Sequence, residues 1–278
     1  VKIGLIRVIR VCYSIIKTTM NRIDSLFNQK NKNILSVFFT AGFPNLHSTL
    51  DVATALEQAG ADIIEIGMPY SDPLADGPVI QHSSTVAMKN GMTLKVLFGQ
   101  LKDFRKHCQL PALLMGYLNP VMQFGFEKFC RQANECGIDG IIIPDLPLDE
   151  AALHQPLFRK YNLHCVLLIT PQTPAERLKK IEALSSGFIY MVSSASTTGK
   201  SSGFSRQQKS YFKKIHAMKL NKPVLTGFGI HDAATFADAC RYSSGAIAGS
   251  YFIRLLEKYE PDTAARKLVS SLTTAIVH

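Results

Sequence analysis

The sequence predicts an α/β chain folded as one (β/α)8 barrel. Three observations predict it: short β-rich runs alternate with helical stretches, eight such strands can be counted, and all fit one chain of 278 residues. Strand–helix alternation implies parallel strands with helical crossovers, and eight units in one domain of this length favour a closed barrel over an open sheet. A composition 46% hydrophobic and 19% charged supplies the core such a domain needs and excludes disorder.

The elements follow in order. A lead-in helix over residues 20–29 puts Ile23, Leu26 and Phe27 on one face. The eight strands are predicted at 34–39, 63–66, 112–117, 140–143, 164–169, 188–192, 224–226 and 246–248. Between them the spacing predicts helices at 47–59, 79–89, 94–107, 126–136, 150–161, 174–184, 206–218 and 232–239, with a last one from 251 to the end. Residues 20–278 therefore form the barrel domain.

Residues 1–19 stand outside it. The stretch is apolar and basic, but Arg7 and Arg10 interrupt it, no small-residue cleavage site follows, and no uninterrupted span reaches about eighteen residues. The preferred reading is an N-terminal extension upstream of a natural start at Met20, with a surface-lying amphipathic helix as the alternative. The segment also carries four of the chain's +10 net charges, leaving +6 for the rest. That excess is scattered, with no basic stripe interleaved by aromatics, so neither a nucleic acid nor a membrane is an expected partner. Six cysteines without a Cys-x-x-Cys pair suit core positions in a reducing compartment, the cytoplasm.

The stretch ADIIEIGMPYSDPLADGP, residues 61–78, organises the chain. Its strand is β-branched and apolar except at Glu65, which shares a face with Ile63 while Ile64 and Ile66 point the other way. An unpaired carboxyl among hydrocarbon rises in pKa toward neutrality, as a general acid or base requires. From the strand alone, a strand-end ion pair fits equally well. The loop tips the balance, because Ser71-Asp72-Pro73 and Asp76-Gly77-Pro78 hold two further carboxylates on a rigid backbone. These acids lack the alternating ladder of a calcium loop, and the histidines lack ligand spacing, so no metal is expected.

Chemistry in such barrels gathers where strands end. Asn119-Pro120, Asp145-Leu146-Pro147, Thr170-Pro171 and residues 193–203 collect on the same rim as Glu65. The last three strands run into Thr198-Gly199, Gly227-Phe228-Gly229 and Gly249-Ser250, turns whose amides can converge on an anion, with the final helix adding its N-terminal dipole. A phosphate ligand is expected there; tight turns alone are the plain alternative. The Ser, Thr and Gly-rich segment 194–206 is either a flexible loop or a lid over substrate, with Lys200 and Arg206 solvated.

With these residues in view, ADIIEIGMPYSDPLADGP resembles the signature of the tryptophan synthase alpha subunit family. The likeness extends from about Met20 to the final helix through SVFFTAGFP, MGYLNP, IIIPDLP, FIYMVSSASTTG, GFGI and GAIAGS. The resemblance implies a TIM barrel and a lyase of tryptophan biosynthesis, cleaving indole-3-glycerol phosphate by a retro-aldol step to indole and glyceraldehyde 3-phosphate. It implies Glu65 as acid/base, Asp76 on the indole N–H and Tyr190 beside them. It further implies Phe38 and Phe228 near the ligand, and the phosphate on Thr198, Gly199, Gly229, Gly249 and Ser250. No cofactor is implied in this chain. The implied partner is a beta subunit carrying pyridoxal phosphate in an alpha2beta2 complex, met through Asp72, Pro73, Asn119 and Pro147.

Residue chemistry agrees with those roles. Cleavage requires a proton for the indole carbon and removal of one from the glycerol hydroxyl, and an ionised aspartate stabilises the charge that spreads to the indole nitrogen. Glu65 among isoleucines is expected to be protonated and Asp76, in a polar loop, ionised. Phe38 and Ile80 suit an aromatic substrate. The chain departs from the family pattern at the sixth-strand loop, where an arginine and a glycine are replaced at Ser194 and Ser196, and at Phe43, where an aspartate is common. Two other functions stay in view: a non-catalytic regulatory subunit, and a sugar-phosphate isomerase or epimerase.

Overall fold

The structure, a computed structural model, describes residues 20–193 and 203–273. Eight parallel strands close on themselves in chain order: β1 Ile34–Thr40, β2 Ile63–Gly67, β3 Ala112–Met115, β4 Gly140–Ile142, β5 His164–Ile169, β6 Ile189–Val192, β7 Val224–Gly227 and β8 Gly245–Ala248. Each strand pairs with the next, and β8 returns to β1 with Ile34 opposite Gly245. A Cβ at residue 245 would overlap the Ile34 carbonyl, so glycine lets the two backbones meet at this seam.

Two apolar layers follow from the side-chain alternation of strands. Ile34, Ile63, Leu113, Ile142, Val166, Leu225 and Ile247 point inward and fill the barrel. Leu35, Val37, Ile64, Ile66, Leu114 and Ile141 point outward and are covered by helices. Near-continuous apolar strands are the consequence of burial on both faces.

The helices are α1 Arg22–Gln29, α2 Ser48–Ala59, α3 Pro78–Lys89, α4 Leu94–Leu101, α5 Phe104–His107, α6 Leu118–Phe124, α7 Phe126–Glu135, α8 Leu148–Lys160, α9 Ala175–Leu184, α10 Arg206–Ala217, α11 Ala233–Tyr242, α12 Ser250–Leu256 and α13 Pro261–Thr273. The lead-in helix α1 closes the pole where the strands begin. Asn21 caps it by accepting from the Ile23 N–H, and its side-chain amide donates to the carbonyls of Asp139 and Asn162. Ile23 is fully buried and Phe27 packs on Phe188. Asp139, itself buried, receives Arg22 and Arg105 and the Ala112 N–H, which ties α1 and α5 to the starts of β3 and β4.

Three differences from the sequence expectation have physical reasons. The helix expected over 94–107 breaks at Lys102 and Asp103, which turns Phe104 fully into the core. The segment with Asn119 and Pro120 is a helix, α6, because a proline at the third helical position gives up an N–H that has no intrahelical partner there. The last helix is two: α12 ends at Leu256, Pro261 starts α13, and α13 packs against α2. Among the described residues no helix is long and apolar enough to cross a membrane. Five cysteines (Cys108, Cys130, Cys136, Cys165 and Cys240) are buried free thiols; Cys12 and the rest of 1–19 lie outside the described residues.

Candidate active site

Glu65 sits at the middle of β2 with no exposed surface, inward beside Ile63 as the alternation requires. Its Oε1 accepts a 2.7 Å hydrogen bond from Ser36 Oγ on β1, while Oε2 is buried without a hydrogen-bond partner. Removal from water pushes its pKa up to about 8, against the smaller opposing pull of the Ser36 hydroxyl, so the carboxyl is predominantly protonated at neutral pH. Among the described residues no cation is paired with it, which sets aside the strand-end ion pair there.

Asp76 lies in the turn before α3, half-buried at the C-terminal pole of the strands. Tyr117 positions it: the phenol donates to Asp76 Oδ2 at 3.0 Å and accepts from the Ala75 N–H at 2.9 Å. Burial pushes Asp76 up to about 6 and the Tyr117 bond pulls it back. The expectation of a polar loop needs correction: apolar neighbours raise this acid too. The ordering survives, since about two units separate the acids and at neutral pH Asp76 is mainly ionised while Glu65 is not.

Tyr190 on β6 is buried in the same interior layer as Ile63 and Leu113. Its hydroxyl is held well above the usual phenol range by burial first, then by the charges of Glu65 and Asp76. The ring packs against Gly227, where any Cβ would overlap the phenol, and meets Phe228 edge-on at 6.5 Å. Phe38 on β1 lies over Gly67 and beside Gly249, two positions that leave its ring room by having no side chain.

Phe38, Gly67, Met68, Asp76, Ile80 and Tyr117 are among the walls of a narrow cavity of about 20 Å³, room for roughly one water. Glu65 is not in this wall; it lies beneath the Phe38–Gly67 contact. A cavity of this size does not admit an aromatic ring unless its walls move apart.

Directly after β7, Phe228 and Gly229 have φ of +69° and +80°. Glycine adopts this left-handed backbone freely, whereas Phe228 is held in it with its carbonyl receiving Ser193 Oγ at 2.8 Å. Gly249 caps α12, which begins at Ser250, one residue before the expected start. Thr198, Gly199 and Lys200 lie outside the described residues, and Arg206 is exposed at the start of α10. Among the described residues no three His, Cys, Asp or Glu side chains converge as a metal site would.

The family model described as tryptophan synthase alpha chain matches residues 25–275. The chain belongs to the tryptophan synthase alpha chain family. It is 51% identical over 255 residues to the tryptophan synthase alpha chain of Bacteroides thetaiotaomicron, covering 91% of this chain and 100% of that one. It is also similar to the crystal structure of the alpha subunit from Legionella pneumophila, with TM-score 0.83 and 33% identity over 93% of this chain and 99% of that one. The tryptophan synthase complex of Pyrococcus furiosus contains a chain with TM-score 0.80 and 32% identity, covering 88% and 99%.

As a tryptophan synthase alpha chain, it is a lyase that cleaves indole-3-glycerol phosphate in tryptophan biosynthesis, and the isomerase and regulator alternatives are not favoured. Alpha chains need no cofactor for this step. On the rim, Asp72, Asn119 and Pro147 are exposed and Pro73 half-buried. Asp72 accepts from Ser71, Asn119 donates to the Tyr70 hydroxyl at 3.3 Å, and Leu74 beside them is 93% exposed. Phe43 is buried in the core.

Sequence reading missed Ser36 and Tyr117 as partners of the two acids. Ser36 had a signal: a hydroxyl at an inward position between Ile34 and Phe38 needs a polar neighbour. Tyr117 had only its place at the end of the third strand.

Proposed function

We propose that Glu65 and Asp76 together carry the cleavage of indole-3-glycerol phosphate to indole and glyceraldehyde 3-phosphate. Glu65 gives its proton to the indole carbon, the carbon–carbon bond breaks as electrons return to the ring, and the carboxylate takes the proton of the glycerol hydroxyl that becomes the aldehyde. Asp76 accepts the indole N–H and stabilises the positive charge between those two transfers. Tyr190 packs beside both acids, and Phe38 and Phe228 hold the ring. The amides at Gly229, Gly249 and Ser250 receive the phosphate, with Thr198 and Gly199 joining from the neighbouring loop.

The observation that carries this reading is a wholly buried carboxyl with one oxygen unsatisfied, protonated at neutral pH beneath a cavity whose wall holds a second, ionised carboxyl. A rim of exposed Asp72, Leu74, Asn119 and Pro147 with half-buried Pro73 suits docking of a beta subunit that carries pyridoxal phosphate, in an alpha2beta2 complex. Buried free thiols suit the reducing cytoplasm.

The test is indole release from indole-3-glycerol phosphate by the purified chain, with and without a beta subunit. Release stimulated by the partner is expected, and Glu65→Gln abolishes it while ligand binding persists. Near-normal turnover by Glu65→Gln removes the acid/base role. Activation of the partner without any release would instead mark a regulator, and activity confined to sugar phosphates an isomerase.

A further inference from the structure

Ser36 is buried completely on the inward face of β1, between Ile34 and Phe38. A hydroxyl in such a layer costs stability unless it is hydrogen-bonded, and this one donates to Glu65 Oε1 at 2.7 Å. The same carboxyl leaves Oε2 without a partner, so its two oxygens are chemically distinct before any substrate arrives.

We propose that Ser36 is the positioning residue of the acid/base: it anchors Glu65 through Oε1 and leaves Oε2 as the oxygen that gives and takes back the proton. The inference rests on the role proposed for Glu65 and adds which oxygen acts and what holds it. In the protonated carboxyl the proton sits on Oε2, and the bond from Ser36 to Oε1 persists. After Oε2 has protonated the indole carbon, the same Ser36 bond stabilises the carboxylate, and Oε2 recovers a proton from the substrate hydroxyl. Ser36 keeps its own proton throughout, so the cycle ends with Glu65 as it began.

The surroundings leave Ser36 with little competition. Strand β1 presents Ser36 and Phe38 to Glu65, β3 pairs Leu113 against it, and the titratable groups nearby are Tyr190 from β6 and Asp76 from the turn before α3. Neither phenol nor aspartate hydrogen-bonds to the carboxyl among the described residues. The bond to Ser36 is therefore the one that favours its charged form.

The experiment titrates the Glu65 carboxyl directly, by carbon-13 NMR of glutamate-labelled chain, with the signal identified by its absence in Glu65→Gln. Ser36→Ala raises the midpoint by about one pH unit, the size expected when a carboxylate loses one hydrogen bond. In the same variant the alkaline limb of the indole-release profile moves up with it, and kcat falls roughly tenfold while KM stays within about twofold. Ser36→Thr, which keeps the hydroxyl, restores the wild-type midpoint; Ser36→Val, of the same shape without it, does not. An unmoved midpoint in folded Ser36→Ala, or Val matching Thr, overturns the proposal. Because the titration needs no turnover, a wild-type chain that releases no indole would overturn the role of Glu65 in cleavage and leave the Ser36 bond to be judged by NMR.

Discussion

Glu65 and Asp76 differ by their neighbours more than by their chemistry. Burial raises both, to about 8 and about 6, and each is opposed by one hydroxyl, Ser36 for the first and Tyr117 for the second. Cleavage needs the first acid protonated and the second ionised, so kcat/KM should rise as pH climbs through about 6 and fall as it passes about 8. Tyr117→Phe removes a bond that favours the Asp76 carboxylate, so the acidic limb should move to higher pH and the plateau narrow from below. A loss of about tenfold in kcat at pH 7 is expected, since one hydrogen bond to a charged group is involved. A pH profile of indole release by the variant checks both sign and size, and an acidic limb left in place would break the link between phenol and acid.

Glycines at strand ends divide into those that shape the site and those that close the barrel. Gly227 at the end of β7 gives the Tyr190 ring its place, and a methyl there would overlap the phenol. Gly245 at the start of β8 faces the Ile34 carbonyl, a backbone group that cannot swing away as a side chain can. Gly227→Ala should therefore fold with a melting temperature within a few degrees of wild type and lose about tenfold or more in kcat. Gly245→Ala should lose several kcal/mol of stability, because the seam must part to admit the methyl. Thermal melts beside the cleavage assay separate the two outcomes. Reversed behaviour, with Gly245→Ala stable and Gly227→Ala unfolded, would contradict this division. Helix breaks at this scale were poorly legible: nothing in the spacing of residues 94–107 marks Asp103 as a stop, because burial of Phe104 decides it.

At the level of the whole chain, opposite poles of the barrel do different work. The pole where strands begin is sealed by α1, with Ile23 in the interior and Asp139 gathering Arg22 and Arg105. The pole where strands end carries Asp76, the glycine turns and the exposed rim, with Glu65 below it in the barrel interior. Among the described residues the ties of α1 to the barrel begin at Asn21, so a chain starting at Met20 should keep its fold and its indole release. Its melting temperature should lie within about two degrees of the full chain. A collapse of the melt on removing residues 1–19 would assign that segment to the barrel. Asp139→Asn in either length leaves two arginines short of a charge and offers a positive control for damage at the sealed pole.

Local order in the chain was enough for the barrel, because strand and helix periods are written in consecutive residues and eight alternations leave few ways to bury them. It was enough also for the acidic residue on β2, for the rigid acidic turn after it and for the family signature that spans them. What lay beyond it were pairings across distance. Ser36 and Glu65 are 29 residues apart and Tyr117 and Asp76 are 41 apart, so their bonds exist only once β1, β2 and β3 are side by side. The same holds for the raised pKa of Asp76, which comes from walls contributed by other strands, and for the Phe38 contact that closes the cavity above Glu65. Proton affinity depends on everything that displaces water around a group, and only the closed barrel decides what that is.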